Sequence, residues 1–225
     1  MSKKDVLIYV GGHHGYGLQP HFKNYNRVFV FEADPNLCKS IKSNYSNHNH
    51  VFVVNAAVCE SHNSKIKFRI SQNGGGSSSI LKPNPKHSLI NWIATTSEIE
   101  VSTVNLLNFC LENNINYIDS YISDAQGYDF KILKTLKNYI SEQKIGEIQC
   151  EVLFDGKEPI YIMEEQEDQN TESNFSKLLS GQYIKIAEGW SELTNGVFNE
   201  VPEDWSEHDV KWISKKIHVT EKLYS

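Results

Sequence analysis

The chain lacks the features that mark secreted, membrane-spanning and nucleic-acid-binding proteins. Its four cysteines, Cys38, Cys59, Cys110 and Cys150, form no Cys-x-x-Cys pair, so reduced thiols are expected rather than zinc or redox motifs. No apolar run approaches the roughly 20 residues that span a bilayer, and the first five residues leave no room for a signal peptide. The net charge of -6 disfavours nucleic acid and anionic membranes as partners. Together these absences favour a cytoplasmic protein without membrane insertion.

Short apolar runs alternate with helical patterns along the chain. The run Val6–Val10 ends in glycines, and the run Val28–Phe31 ends in Glu32. At least five such alternations, without internal repeat or domain boundary, predict one α/β domain over residues 1–225. Its expected fold is a Rossmann-like, doubly wound, mostly parallel sheet with helices on both faces. Ligands then bind beyond the carboxyl ends of the strands.

Three further segments carry expectations that bear on the site. Gly17–Tyr25 is predicted to hold the first helix, and Asp209–Lys216 a closing helix. The flexible run Gly74–Ser79 is either a mobile connector or a loop that closes on a ligand. Residues 155–225 carry no recognisable motif, and we expect them to shape the substrate side of the cleft.

Glycine spacing after the first strand separates two classes of cofactor. A dinucleotide fingerprint requires Gly-x-Gly-x-x-Gly, which Gly11, Gly12, Gly15 and Gly17 do not form from any start. The looser spacing Gly11-x-x-x-Gly15 fits the turn of S-adenosylmethionine sites. Glu32 follows about twenty residues later, where an acid can accept hydrogen bonds from ribose hydroxyls.

Several segments in this order resemble the FkbM-type methyltransferases, a group of Rossmann-like enzymes that use S-adenosylmethionine. Each of the following stands where that family has a motif: Val10–Gly15 for Val-Gly-Ala-Asn-x-Gly, Val30–Pro35 for Phe-Glu-Pro-x-Pro, Asn55–Val58 for Asn-x-Ala-Val, Ser77–Ile80 for a serine-rich loop, and Ile118–Gly127 for Ile-Asp-x-x-Lys-Ile-Asp-Val-Gln-Gly. Glu151 stands for a later acid that ends a strand. The resemblance covers roughly residues 6 to 155, and it implies a sheet of the seven-stranded methyltransferase type.

The resemblance also implies which residues form the cofactor site. Glu32 would hold the ribose hydroxyls, the glycine turn would pass under the methionine portion, and Asn55 to Ala57 would flank the adenine. The full set of expected cofactor-binding residues is Gly11, Gly12, His13, Gly15, Glu32, Ala33, Asn55, Ala56, Ala57 and Ser79.

Asp124 and Glu151 are the candidate catalytic residues, because both are expected at the carboxyl ends of neighbouring strands. The pair could hold a divalent ion, Mg²⁺ or Mn²⁺, that acidifies a substrate hydroxyl. Alternatively one carboxylate acts as general base, or Asp124 binds the ammonium group of the cofactor. A histidine base in the glycine turn is a further alternative, and Glu151 could also be purely structural.

Three departures from the family pattern concern substrate chemistry more than cofactor binding. Tyr9 replaces an acid that often opens the first motif, Ile122 replaces a lysine, and Asp129 replaces a glutamate. Because FkbM-type enzymes often modify sugar or natural-product hydroxyls, the resemblance implies an S-adenosylmethionine-dependent O-methyltransferase acting on a sugar or related small-molecule hydroxyl. The rival hypotheses are an inactive methyltransferase-fold binding protein and a nicotinamide-dependent oxidoreductase.

Overall fold

A computed structural model describes residues 3–191 and 197–218 of the chain. The strands are β1 (Lys4–Val10), β2 (Tyr25–Glu32), β3 (Val51–Asn55), β4 (Ala57–Val58), β5 (Lys65–Ser71), β6 (Lys82–Pro83), β7 (Thr95–Val104), β8 (Ile118–Ser123), β9 (Ile145–Leu153), β10 (Tyr161–Ile162), β11 (Tyr183–Ser191), β12 (Phe198–Asn199) and β13 (Glu207–Ser214). The helices are α1 (Pro35–Asn44), α2 (Ile90–Ile93), α3 (Leu106–Glu112), α4 (Asp129–Lys134), α5 (Lys137–Ser141) and α6 (Glu172–Leu179).

The central sheet has the strand order β12-β11-β13-β9-β8-β1-β2-β3. The five strands from β3 to β9 in this order are parallel, while β13 lies antiparallel between β9 and β11. This confirms the expected doubly wound, mostly parallel sheet, with the two-residue strand β12 added at one edge. Because the order reverses between β1 and β8, a crevice opens at their carboxyl ends.

Helices cover both faces of the sheet. Successive side chains of β1 point to opposite faces and are apolar on both, so both faces need a covering layer. Leu7 and Tyr9 pack with Ile41 of α1 on one face, whereas Val6 and Ile8 pack with the helices from α3 to α6 on the other. A smaller three-stranded sheet, ordered β4-β7-β5, supplies one wall of the crevice through β4 and through Phe68 of β5. No helix in residues 3–191 or 197–218 has the length and apolarity to cross a membrane.

The expected helix over Gly17–Tyr25 is wrong. That segment contains two single 3₁₀ turns, Tyr16–Leu18 and Phe22–Asn24, and Tyr25 already belongs to β2. Leu18 and Phe22 of this segment are nevertheless buried. The Tyr25 hydroxyl donates to Ser120 Oγ at 2.7 Å, so tertiary pairing starts the strand before a second helical turn can form.

The expected closing helix over Asp209–Lys216 is also wrong, because residues up to Ser214 belong to β13. Val210 and Trp212 are buried on one face, while Asp209 and Lys211 lie on the other. This alternation has the period of a strand, and pairing with both β9 and β11 secures it. The C-terminal segment expected on the substrate side, residues 155–225, includes positions 192–196 and 219–225, which lie outside the described residues.

Candidate active site

A cavity of about 240 Å³ lies beyond the carboxyl ends of β1, β2 and β8. One end is lined by apolar groups, among them Ala57 and Phe68, and the other by polar groups, among them Asp124 and Gln126. The polarity gradient suits a molecule with a flat apolar part and a charged tail.

The glycine turn between β1 and the first 3₁₀ turn forms the floor of the cavity. The amides of Gly11 and Gly12 both donate to the Phe31 carbonyl at 3.0 Å, which joins the ends of β1 and β2. Gly11 has a φ of 80°. A Cβ at this position would lie only 1.9 Å from the Asp124 carbonyl oxygen, so the backbones of β1 and β8 meet where only glycine fits.

Gly11→Ala is expected to destabilise the protein by more than about 2 kcal/mol and to impair binding at the cavity. A left-handed alanine costs roughly 1–2 kcal/mol, and the collision with Asp124 adds to that cost. Gly156→Ala is a matched control, because Gly156 has a φ of 81° and nothing within 4 Å of its virtual Cβ. Chemical denaturation of the two variants should therefore differ, and equal losses would contradict a collision at Gly11.

Glu32 lies at the end of β2 with 7% of its surface exposed and faces the cavity. Its carboxylate accepts a hydrogen bond from the His13 amide at 2.6 Å and another from the Asp34 amide at 2.7 Å. Burial raises the pKa of Glu32 to about 7, although these two amides oppose the shift. Each carboxylate oxygen keeps a lone pair for a ligand hydroxyl, so two vicinal hydroxyls can bind here.

Eight of the twelve expected site residues line the cavity, and four do not. The eight are Gly11, Gly12, His13, Glu32, Ala33, Ala56, Ala57 and Asp124, and the four outside the lining are Gly15, Asn55, Ser79 and Glu151.

Three of those four support the cavity walls from behind. Gly15 closes the turn by donating from its amide to the Gly12 carbonyl at 2.7 Å. The Asn55 side-chain amide donates to the carbonyls of Glu32 and Ala33 at 2.9 and 3.0 Å, and thereby orients the end of β2. Ser79 Oγ donates to the Gln126 carbonyl at 2.9 Å.

The apolar end of the cavity contains residues that the sequence patterns did not single out. Phe68 of β5 is buried and lines the cavity together with Phe31 and Ile80. Phe68 belongs to a strand that is distant in the chain, so no local spacing could have indicated its role. Tyr9, which replaces the acid of the family motif, also lines the cavity and is 3% exposed.

The run Gly74–Ser79 forms a further wall. Gly75, Gly76 and Ser78 line the cavity, and the Gly74 carbonyl lies 3.4 Å from His13 Nε2. The Tyr161 hydroxyl lies 3.1 Å from the Ser77 carbonyl. The run therefore contacts the glycine turn on one side and the segment after β9 on the other.

At the polar end, Gln126 joins the two candidate catalytic carboxylates. Its Nε2 donates to Asp124 Oδ1 at 2.5 Å and lies 3.4 Å from Glu151 Oε2. Its Oε1 accepts from the Tyr161 hydroxyl at 2.7 Å. Asp124 follows β8 directly, whereas β9 continues past Glu151 to Leu153, so Glu151 does not end its strand as expected.

Two acids of β13 extend this group, which we call the carboxyl cluster: Asp124, Glu151, Glu207 and Asp209. Asp209 lies opposite Glu151 in the antiparallel ladder. Burial and the neighbouring Asp124 raise the pKa of Glu207 to about 8 and that of Asp209 to about 7. Burial raises the pKa of Asp124 as well, and burial with repulsion from Asp124 raises that of Glu151 strongly. The cluster therefore holds protons near neutral pH.

Asp129 is a fifth acid, fully buried behind the cluster at the start of α4. It accepts hydrogen bonds from the Ser123 hydroxyl and from the Ala125 amide, the latter at 2.9 Å, and so shapes the turn that carries Asp124. Its Oδ2 has no hydrogen-bond partner among the described residues. Burial and repulsion from Asp124 raise the pKa of Asp129 to about 7.

Asp129→Asn is expected to stabilise the protein most at pH 8, less at pH 5, and least below pH 4, where Asp129 is protonated in both the folded and the unfolded state. The pKa of Asp129 is higher in the folded than in the unfolded state, so stability is full at low pH and falls as pH rises toward 7. At roughly 1.4 kcal/mol per pKa unit, the loss is on the order of 2–4 kcal/mol. Asparagine keeps the acceptor for Ser123 and Ala125 without the charge. Urea unfolding at these pH values measures the difference, and a less stable variant at pH 8 would refute the protonated state.

Residues 10–175 match the sequence model of a family described as the methyltransferase FkbM domain. The crystal structure of the methyltransferase FkbM from Methylobacillus flagellatus KT superposes with a TM-score of 0.54 at 12% identity, covering 94% of this chain and 44% of that one. The N-methyltransferase NodS from Bradyrhizobium japonicum WM9 gives 0.48 at 7% identity, over 95% and 87% of the two chains. TrmK from M. capricolum, in complex with S-adenosyl-homocysteine, gives 0.45 at 11% identity, over 96% and 64%. No curated protein sequence matches significantly.

Proposed function

Because this chain belongs to the FkbM methyltransferase family, we propose that it transfers a methyl group from S-adenosylmethionine to a hydroxyl of a sugar or a related small molecule. One observation carries the proposal. The buried Glu32 carboxylate, oriented by two backbone amides, faces a cavity whose floor is the glycine turn. A buried carboxylate in this position can accept hydrogen bonds from both hydroxyls of the ribose of a bound nucleoside.

Each part of S-adenosylmethionine has a complementary wall in the cavity. The adenine would lie at the apolar end against Ala57 and Phe68, and the ribose hydroxyls would donate to Glu32. The methionine portion would pass over Gly11 and Gly12 toward the polar end. The first of two roles open to Asp124 is to bind the cationic ammonium group of the cofactor, in place of the acid that Tyr9 replaces.

The transfer is an in-line displacement at the methyl carbon. The acceptor oxygen forms the new bond to that carbon while the bond to sulfur breaks, and S-adenosylhomocysteine leaves neutral at sulfur. The acceptor proton must go to a base, and the second role open to Asp124, which lines the cavity, is to be that base. Its raised pKa brings it closer to neutral pH, where a carboxylate is a more effective base. Alignment of the two reacting atoms supplies the rest of the rate enhancement.

The carboxyl cluster supports a neutral, hydroxyl-rich acceptor. Carboxyl groups that retain protons both donate and accept hydrogen bonds, as the hydroxyls of a saccharide do. The net charge of -6 disfavours a nucleic acid as acceptor. We further propose that residues 1–225 act as one cytoplasmic methyltransferase domain. In it, residues 155–225 shape the acceptor side through Glu207 and Asp209.

Asp124 and Glu151 do not fit a divalent ion in the arrangement described. The Gln126 amide, a donor, bonds to Asp124 on the side that faces Glu151, and the pair retains protons. Among the described residues, no third His, Cys, Asp or Glu offers a ligand atom within 4.8 Å of both carboxylates. Addition of Mg²⁺ or Mn²⁺ is expected to leave the rate of methyl transfer unchanged, and a strong acceleration would contradict this.

Isothermal titration with S-adenosylmethionine, and with a nicotinamide dinucleotide for comparison, tests the cofactor assignment. We expect binding of the first and not of the second. Transfer of a radiolabelled methyl group to a glycan array then tests the acceptor. Cofactor binding without transfer to any acceptor would favour the rival hypothesis of an inactive binding protein. The absence of cofactor binding would overturn the proposal.

A further inference from the structure

A second cluster of ligand-type side chains lies on the opposite face of β13 from Asp209. It consists of Glu172 at the start of α6, Glu188 of β11 and His208 of β13. Their candidate ligand atoms all lie within 4.8 Å of one another. Three separate elements thus bring two carboxylates and one imidazole to one point, which the proposed methyl transfer does not use.

His208 is the observation that distinguishes this cluster from an ordinary group of surface acids. Its side chain is 1% exposed, and neither ring nitrogen has a hydrogen-bond partner among the described residues. The ring stacks on Phe154 with centroids 3.8 Å apart and planes 18° from parallel, which fixes its orientation. In this orientation Nε2 lies 3.8 Å from Glu172 Oε2, too far for a hydrogen bond.

An unpaired polar group at such burial is costly, and buried ring nitrogens in native proteins nearly always have a partner. A metal ion is the partner that this geometry allows. Ligand atoms at about 2.0–2.2 Å from a tetrahedral ion lie a little over 3 Å apart, so a contraction of about 1 Å would close the site. Glu188 is exposed enough to supply that movement, because its side chain is 55% exposed.

In this structure Lys185 forms ion pairs with the carboxylates of Glu172 and Glu188. Its Nζ lies 2.7 Å from Glu172 Oε1 and 2.6 Å from Glu188 Oε2. The side chain is 39% exposed and flexible, so the ammonium group can leave into solvent when a dication arrives. The Lys185 ammonium therefore competes with a metal ion for the two carboxylates, which lowers the affinity for the ion without abolishing binding.

We propose that Glu172, Glu188 and His208 bind a divalent transition-metal ion of the zinc class, with water in the remaining position. Imidazole as a ligand favours Zn²⁺ over Mg²⁺, which prefers an all-oxygen shell. The ion would join α6, β11 and β13, the three elements that build the C-terminal edge of the sheet. Its expected effect is on the stability of that edge rather than on methyl transfer.

Competition of the full-length protein with a chromophoric chelator for Zn²⁺ tests the site, with the tetrahedral Co²⁺ absorption spectrum as a second readout. We expect His208→Gln and Glu188→Gln each to weaken Zn²⁺ binding at least tenfold, and Lys185→Gln to strengthen it severalfold. His48→Gln is the matched control and should leave the affinity unchanged, since His48 lies in another part of the fold. Zn²⁺ should also raise the unfolding temperature of the wild type and not that of Glu188→Gln.

The same variants distinguish a specific metal site from an adventitious surface ion. Glu188 is exposed, so its substitution keeps the test valid if His208→Gln does not fold. Equal Zn²⁺ affinity in the wild type, Glu188→Gln and His48→Gln would indicate an adventitious surface ion and would overturn the proposal. So would an absence of Zn²⁺ binding by Lys185→Gln, in which the competing ammonium is gone.

Discussion

Glu32→Ala is expected to raise the dissociation constant for S-adenosylmethionine by about 100-fold or more. Hydrogen bonds to a charged acceptor are worth roughly 1.5–3 kcal/mol each, and the proposed ribose diol makes two of them. The substitution also removes the acceptor for the amides of His13 and Asp34, which orient the glycine turn and the start of α1. Both losses are expected to weaken binding of the cofactor, because Glu32 lies in the cavity wall.

Asp34→Asn is the matched control for that experiment. Asp34 lies two residues away, and its side chain caps α1 by accepting from the Asn36 amide at 2.7 Å, a role that asparagine fulfils equally well. Titration calorimetry should show near-normal affinity for this variant. A Glu32→Ala variant that folds and binds the cofactor normally would remove the ribose contact from the proposed site.

We expect the ionisation of Glu32 to make cofactor affinity depend on pH. Glu32 accepts hydrogen bonds best when ionised, and burial raises its pKa to about 7 in the free protein. As pH falls through 7 the carboxylate gains a proton and loses an acceptor, so affinity should decrease from pH 8 to pH 6. In Glu32→Gln this dependence should be largely absent.

Asp124→Asn is expected to lower the turnover number by roughly 10²- to 10⁴-fold, the usual contribution of a general base. The substitution preserves the shape of the side chain and one acceptor oxygen for Gln126, so the cavity should keep its form. In the wild type the rate should rise with pH through the raised pKa of Asp124, because only the ionised carboxylate accepts the proton.

Single-turnover rates and cofactor affinity together distinguish the two roles open to Asp124. Loss of rate with an almost unchanged dissociation constant indicates the base, whereas a weakened cofactor affinity with a smaller rate effect indicates a partner for the ammonium group. Glu151→Gln serves as the comparison, since Glu151 lies behind Gln126 and does not line the cavity. Near-normal turnover in Asp124→Asn would reject its assignment as base.

Local patterns along the chain were sufficient to predict the parallel part of the sheet and the cofactor side of the cavity. The apolar runs of β1 and β2, the glycines between them and Glu32 lie within thirty residues of one another. In a parallel α/β unit, consecutive strands are neighbours and their carboxyl ends share an edge, so proximity in the chain translates directly into proximity in space. The cofactor side of the cleft could therefore be inferred from residue order.

The acceptor side depended on contacts between distant segments. Glu207 and Asp209 reach Asp124 and Glu151 because β13 inserts antiparallel between β9 and β11, and no local pattern reports that choice. The charged residues of this stretch satisfy helical spacing as readily as alternation, so we predicted a helix. Only pairing with two neighbouring strands decides between helix and strand for such a segment. A strand forms its backbone hydrogen bonds with its neighbours, and its buried face depends on what packs against the sheet. The composition and motif order thus predicted a parallel sheet with a cofactor cleft at its carboxyl edge, while the folded chain alone assembled the carboxyl cluster and the proposed His208 site.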